Sequence, residues 1–399
     1  MHDTVIAGID TLLTMDPSLG DGPLGILRDV AVHVDGGEIA WIGPTSEAPA
    51  SRHTVDGTGC IALPGLVDCH THAVWAGSRA DEFERRLAGA TYTEILKAGG
   101  GILSTVRASR EATEEQLAAG CASRLARMRA RGVGAVEIKS GYGLDPVSEL
   151  KLIQAARRAG KLTGVRVYST FLGAHAIPPD WADDREGYVE QVIEDQLPLV
   201  AQYASFIDVY VDDGAFTVEE GERILRAGLQ CGLQVRVHAE QVAYTGAAEM
   251  AARLGALSAD HLERIDDAGI AAMAASGTIA VLLPGAMLYL HDTPPPIAKM
   301  REAGVRFAVA TDLNPGSSPV DDLWACATLA CVTMGLTVEE ALRGITCVAA
   351  DSLGEPDLGR LRVGSPAPVV LVRPPPGEAP HPAVLVQHLG CPRIEAVVG

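Results

Sequence analysis

Ile61-Ala62-Leu63-Pro64-Gly65-Leu66-Val67-Asp68-Cys69-His70-Thr71-His72-Ala73-Val74-Trp75-Ala76-Gly77-Ser78-Arg79 is the stretch on which the reading of the fold turns. The apolar run from Ile61 to Val67 reads as a buried strand, and two histidines one residue apart stand at its C-terminal end. Strand side chains alternate between faces, so His70 and His72 point one way and Cys69 and Thr71 the other. Two imidazoles on one face at a strand end can grip a single metal ion. With 11 histidines in 399 residues, about 0.3 such pairs arise by chance, so the pair acquires meaning only if ligands arrive at other strand ends.

The chain downstream supplies such ends. Candidate strands lie at 61–68, 132–140, 165–174, 207–213, 233–239, 256–260, 279–284 and 306–312, with helical patterns between them such as 111–131, 146–159, 218–231 and 266–276. This alternation argues for an α/β fold, a (β/α)8 TIM-like barrel, with its chemistry at the strand C-termini. The third strand ends in Gly173-Ala174-His175, the fifth in His238-Ala239-Glu240-Gln241 and the sixth in Asp260-His261. The eighth runs into Thr311-Asp312-Leu313-Asn314-Pro315-Gly316-Ser317. His70, His72, His238 and Asp312 together make a set of three nitrogens and one carboxylate, suited to a borderline divalent ion such as Zn²⁺ or Fe²⁺.

Outside this middle region both ends of the chain read as short strands. Residues 4–14 and 29–43 form strands, with a hairpin turn at Asp35-Gly36-Gly37. Beyond about residue 355, strands are expected at 369–372, 383–386 and 394–398, punctuated by prolines 374–376. The simplest assembly pairs the ends into one small β-sandwich domain, residues 1–62 and 355–399, beside a barrel spanning 63–354. The first crossover, 75–131, is long. Its Gly99-Gly100-Gly101 is followed by no Gly-Lys-Ser/Thr and so is not a P-loop, and a flexible loop over the site is expected there.

Composition narrows the function. Against 32 Lys and Arg stand 51 Asp and Glu, a formal charge of −19, which argues against nucleic-acid and anionic-membrane partners. No apolar run approaches the roughly 20 residues needed to span a bilayer. Residues 1–20 carry Asp3, Asp10 and Asp16 and no Lys or Arg, so the signal-peptide charge pattern is missing. Eight scattered cysteines form no Cys-x-x-Cys pair, so reduced thiols in a cytoplasmic protein are expected. In so acidic a protein an anionic substrate needs a local cation, and Arg79 closes the histidine-bearing stretch.

His-x-His on the first strand, His on the fifth and sixth and Asp on the eighth resemble the layout of the amidohydrolase superfamily. Longer phrases resemble its imidazolonepropionase family: 64–79, 99–106, Val136-Glu137-Ile138-Lys139-Ser140-Gly141-Tyr142-Gly143-Leu144, Phe171-Leu172-Gly173-Ala174-His175-Ala176-Ile177-Pro178-Pro179 and 310–319. The resemblance covers the whole barrel. It implies hydrolysis of the small molecule 4-imidazolone-5-propanoate to N-formimidoyl-L-glutamate, in histidine degradation, with a homodimer as the assembly. It places metal ligands on His70, His72, His238 and Asp312, and substrate contacts on Arg79, Tyr142, His175, Gln241, Asn314, Gly316 and Ser317. Arg79 is the charged fork that a propionate tail needs.

Two departures from the superfamily pattern stand out. Related deaminases carry a proton-shuttling Glu three residues after the fifth-strand His; here Gln241 stands there and cannot shuttle. Catalytic proton handling therefore falls to Asp312 and His261, with His261 steadying the oxyanion. In the C-terminal β segment, Ala367-Pro368 replaces a common Ala-Asp. The fourth strand, 207–213, also lacks the lysine that bridges two metals in binuclear members, which favours one divalent ion, Zn²⁺ or Fe²⁺/Fe³⁺. Lys139, on the second strand, reads as a structural or salt-bridge residue. The rival readings are another cyclic-amide hydrolase or deaminase on this scaffold, or a non-catalytic scaffold protein; the complete ligand set argues against the latter.

Overall fold

The structure, a computed structural model, describes residues 3–89, 94 and 100–399. Its first strands are β1 (Thr4–Leu13), β2 (Ile26–Asp35), β3 (Glu38–Pro44), β4 (His53–Asp56) and β5 (Ile61–Pro64). All but β4 are rich in Val, Ile or Leu, which pack well on a pleated surface. β1 and β2 pair antiparallel, β2 and β3 form the expected hairpin, and β4 and β5 run parallel to β1. The sheet is completed from the other end of the chain by β14 (Val369–Val372) and β15 (Ile394–Val398), in the order β15-β14-β5-β1-β2-β3. Its own apolar cluster, including Ile6, Ile9, Leu12, Val32, Ile39 and Leu371, is separate from the main core.

Eight parallel strands make the barrel: β6 (Leu66–Asp68), β7 (Val133–Lys139), β8 (Arg166–Ala174), β9 (Phe206–Val211), β10 (Gln234–Ala239), β11 (Ser258–His261), β12 (Ile279–Leu282) and β13 (Phe307–Val309). They neighbour one another in sequence order, as right-handed βα crossovers dictate. The helices between them start where the sequence supplies caps. Asp145 accepts from the Ser148 amide ahead of Pro146–Thr163, with Pro146 opening the helix. Thr217 and Glu220 form a reciprocal capping box on Val218–Gln230. None of the described helices is long and apolar enough to cross a membrane.

The first and eighth strands meet beyond their formal ends. The Asp312 amide donates to the His70 carbonyl and the His72 amide to the Leu313 carbonyl, each at 3.0 Å, and Thr71 bridges Leu313. Below this, the Asp68 carboxylate accepts from the Thr311 amide (3.1 Å) and hydroxyl (2.6 Å). The barrel is thus closed by the segments that carry His70, His72 and Asp312.

Three sequence expectations change. The run 61–68 is two strands, β5 in the terminal sheet and β6 in the barrel, with Gly65 between them. Residues 383–386 are no strand: Val384–Gln387 is a helical turn after Pro382. The helical pattern 111–131 starts later, as Glu114–Ala130, because Thr113 caps that helix, and a separate helix, Ile102–Glu111, precedes it. Gly99, and with it the expected loop over the site, falls largely outside the described residues. All eight cysteines are free thiols.

Candidate active site

Four of the barrel strands deliver polar residues at their C-terminal ends. His70 and His72 follow β6, His238 ends β10 with Ala239, His261 ends β11, and Asp312 follows β13. All five are at most 3 % exposed. Backbones at several of these ends are in the left-handed region: φ is +57° at Glu240, +78° at His261 and +50° at Asp312. Such conformations are costly for non-glycine residues and gather at functional sites.

The imidazoles converge. His70 Nε2 and His72 Nε2 each lie 3.5 Å from Asp312 Oδ1. Ligands about 2.1 Å from one tetrahedral ion stand roughly 3.4 Å apart, so this spacing fits a shared metal. His70, His72 and Asp312 form one group whose donor atoms all lie within 4.8 Å, and His70, His238 and His261 form another. His261 therefore lies within reach of His70 and His238, though it is not among the four expected ligands. The Nε2 atoms of His70 and His238 are buried and make no hydrogen bond. Buried polar atoms normally find partners, and open imidazole lone pairs facing a carboxylate are what a borderline divalent ion requires. Burial first, and then the Lys139 charge, hold His70 far below the usual imidazole range; burial and His175 do the same for His72. Burial pushes the Asp312 carboxyl up to about 6.

The sequence reading missed the layer beneath. His70 Nδ1 lies 2.6 Å from Asp260 Oδ2, and His238 Nδ1 lies 3.0 Å from Asp208 Oδ2. Asp260 orients the His70 ring, as outer partners of metal-binding imidazoles do, and Asp208 holds the His238 backbone by accepting from its amide at 3.0 Å. Both are anchored by buried cations. Lys139 Nζ stands 2.8 Å from Asp208 and 3.0 Å from Glu137, and Arg236 reaches Asp260 (3.4 Å) and the carbonyls of Cys69 and Ser352. Lys139 is thus a salt-bridge partner. Burial opposes its charge, yet Asp208 and Glu137 hold the ammonium above its usual range. The available signal was period-two charge inside apolar strands: Glu137 and Lys139 on β7, and Arg236 and His238 on β10, all facing the barrel interior.

The expected substrate residues divide. Tyr142 and His175 flank the cluster: the His175 ring stacks on His72 with centroids 5.0 Å apart, and Tyr142 lies 5.8 Å from His72. His175 Nδ1 stands 2.9 Å from the Gly141 carbonyl, and burial lowers its pKa to about 3. Gly141 has φ +86°, and a Cβ there would lie 2.8 Å from His175 Nδ1, so only glycine serves. Gln241 is half-buried just past β10. Neighbouring Glu240 turns away from the cluster and accepts from the Gly246 amide. Arg79 is not among the imidazoles. Its guanidinium pairs with Glu82 at 2.7 Å and passes over Gly316, where a Cβ would collide with it. Together with Trp75, Phe83 and Tyr289 it lines a cavity of about 380 Å³. Asn314 serves its own loop, accepting from the Gly316 and Ser317 amides (2.8 Å each) and donating to the Asp312 carbonyl.

Imidazoles and a carboxylate gathered at the C-terminal mouth of a parallel barrel define a class, the metal-dependent barrel hydrolases. The amidohydrolase family profile matches residues 61–389, and the chain belongs to that family. The imidazolonepropionase of Cupriavidus taiwanensis is 50% identical over 360 residues, covering 88% of this chain and 86% of that one. That of Shewanella sp. (strain MR-4) is 49% identical over 362 residues, covering 89% and 88%. Within the family this chain is thus one of the imidazolonepropionases. Solved structures share its fold at lower identity. A zinc-bound adenosine deaminase from Xanthomonas campestris superposes with TM-score 0.75 at 20% identity, over 99% of this chain and 91% of that one. Zinc-complexed atrazine chlorohydrolase from Arthrobacter aurescens gives 0.70 at 19%, over 99% and 93%.

Proposed function

We infer that this protein hydrolyses the cyclic amide C–N bond of 4-imidazolone-5-propanoate, consuming one water and yielding N-formimidoyl-L-glutamate, in the degradation of histidine. The observation that carries this reading is half-identity to imidazolonepropionases sustained over 88% of the chain. The converging donors at the barrel mouth support it.

In this reading His70, His72, His238 and Asp312 hold one ion, Zn²⁺ or Fe²⁺/Fe³⁺. When bound, such an ion polarises a carbonyl and acidifies a water. Asp312 takes the proton of the attacking water and returns it to the ring nitrogen that leaves. His261, in the same cluster, steadies the charge that gathers on the carbonyl oxygen. Tyr142, His175 and Gln241 hold the ring, and Asn314, Gly316 and Ser317 complete the substrate contacts from the loop after the eighth strand. Arg79 receives the propionate carboxylate. The acidic surface suits a small-molecule enzyme of the cytoplasm with no nucleic-acid partner, working as a homodimer, which light scattering of the purified protein reads directly.

Incubating the protein with imidazolonepropionate and following the ring's ultraviolet absorbance tests the function. Absorbance should fall as N-formimidoylglutamate appears. Turnover of other cyclic amides or aminated rings, with the imidazolone untouched, would transfer the site to the rival chemistry.

A further inference from the structure

Glu149 is a fully buried carboxylate that no step above uses. It lies in the first turn of the helix Pro146–Thr163, and its oxygens face the loop that leaves β7. Oε1 accepts from the amides of Gly143 (2.7 Å) and Leu144 (2.8 Å), and Oε2 from the amide of Gly141 (3.0 Å). Three amides turned onto one carboxylate make a strong, charge-assisted cradle. The loop needs it, because Gly141 and Leu144 both have left-handed backbones, with φ of +86° and +55°.

That loop carries two substrate contacts. Tyr142 sits between the amides that Glu149 holds. The Gly141 carbonyl, on the residue whose amide donates to Glu149, is the partner of His175 Nδ1. With Nδ1 protonated and donating to that carbonyl, His175 Nε2 is left as an acceptor. One carboxylate therefore governs both the place of the Tyr142 ring and the tautomer of His175.

We propose that Glu149 is the positioning residue of the ring subsite: it fixes loop 140–144, and through the Gly141 carbonyl it keeps His175 in the Nε2-acceptor form. This rests on the reading in which Tyr142 and His175 hold the substrate ring. Contacts made alike in the bound and transition states appear in KM, so KM should carry the effect. Glu149→Gln turns one acceptor into an NH₂ that faces an amide N–H. Glu149→Asp keeps the charge with a shorter reach.

The test compares holoenzyme, E149Q, E149D and H175A by metal content, kcat, KM, amide exchange and ¹⁵N shifts of His175. The metal content of the Glu149 variants should match the wild type. KM should rise on the order of 10- to 100-fold in E149Q, and less in E149D, with kcat little changed. Exchange should quicken at Gly141, Gly143 and Leu144, and the His175 nitrogens should shift toward a tautomer mixture. Faster exchange at these amides with wild-type KM and unchanged His175 shifts, while H175A raises KM, would overturn the positioning role and leave the function standing. Should E149Q fail to fold, E149D decides by the same pair of readouts. If the wild type itself does not turn over the imidazolone, the function fails, and unchanged His175 shifts in the variants would still overturn the positioning role separately.

Discussion

At the scale of the residue, His70 shows how a ring of the site is set, with one nitrogen held and the other free. His70 gives Nδ1 to Asp260 and leaves Nε2 open. A single metal ion is expected because the fourth strand carries no lysine to bridge a second, and Lys139 is already held by Asp208 and Glu137. Elemental analysis should find one ion per chain, and His238→Ala should lose both ion and activity; two tightly held ions, or a fully active variant, would refute this. Arg79→Met tests the propionate contact. Removing one partner of a desolvated charge pair costs roughly 2–5 kcal/mol, which is roughly a 30-fold to few-thousand-fold loss in kcat/KM. The metal should stay, and an imidazolone lacking the carboxylate should show little difference between the two proteins. An equal loss on both substrates would mean that Arg79 serves the ring or the fold. The candidate donors could be gathered from the sequence because strand ends in a parallel barrel converge, so their places along the chain already bring them to one mouth. Asp260, Asp208 and Arg236 could not be, because what makes them partners is contact across 24 to 190 residues of chain, from Arg236 with Asp260 to His70 with Asp260. Asn314 shows a second limit: its type and place suit substrate, yet its hydrogen bonds go to its own loop.

At the scale of the element, the first and eighth strands are joined at the candidate ligands. β6 and β13 are only three residues each, and the hydrogen bonds between their extensions run through His70, His72, Asp312 and Leu313. An ion held by His70 and His72 on one side and Asp312 on the other would tie that seam. Binding to the folded state alone stabilises by about 2.7 kcal/mol at a hundredfold excess over Kd. Chelation should therefore lower Tm and quicken amide exchange at His72 and Asp312 ahead of the strands on the far side of the barrel. Identical melting and exchange with and without metal would show that the seam stands alone. Most of strands β7 to β13 were readable because they are short, largely apolar runs between helical patterns, a contrast that needs no tertiary knowledge. The run 61–68 was not divided correctly because apolarity continues through it; Gly65 marks the crossing only because Pro368 packs against it. Val384–Leu385–Val386 has the composition of a strand, but Pro382 and the lack of a partner edge leave it helical.

At the scale of the whole molecule, the terminal sheet is woven from both ends of the chain. β5 is complete at residue 64, yet its antiparallel neighbour β14 begins at residue 369. During synthesis at about 5–20 residues per second, that edge waits roughly 15–60 s while the entire barrel is made. An unpaired strand edge is a template for wrong pairing. A nascent chain arrested before residue 369 should therefore be cut by protease near residues 57–64 and protected once β14 has emerged; equal protection at both lengths would show that β1 alone secures the edge. On this account the last strands act as a timed closure: the protein's vulnerability is set by the order in which its residues are born.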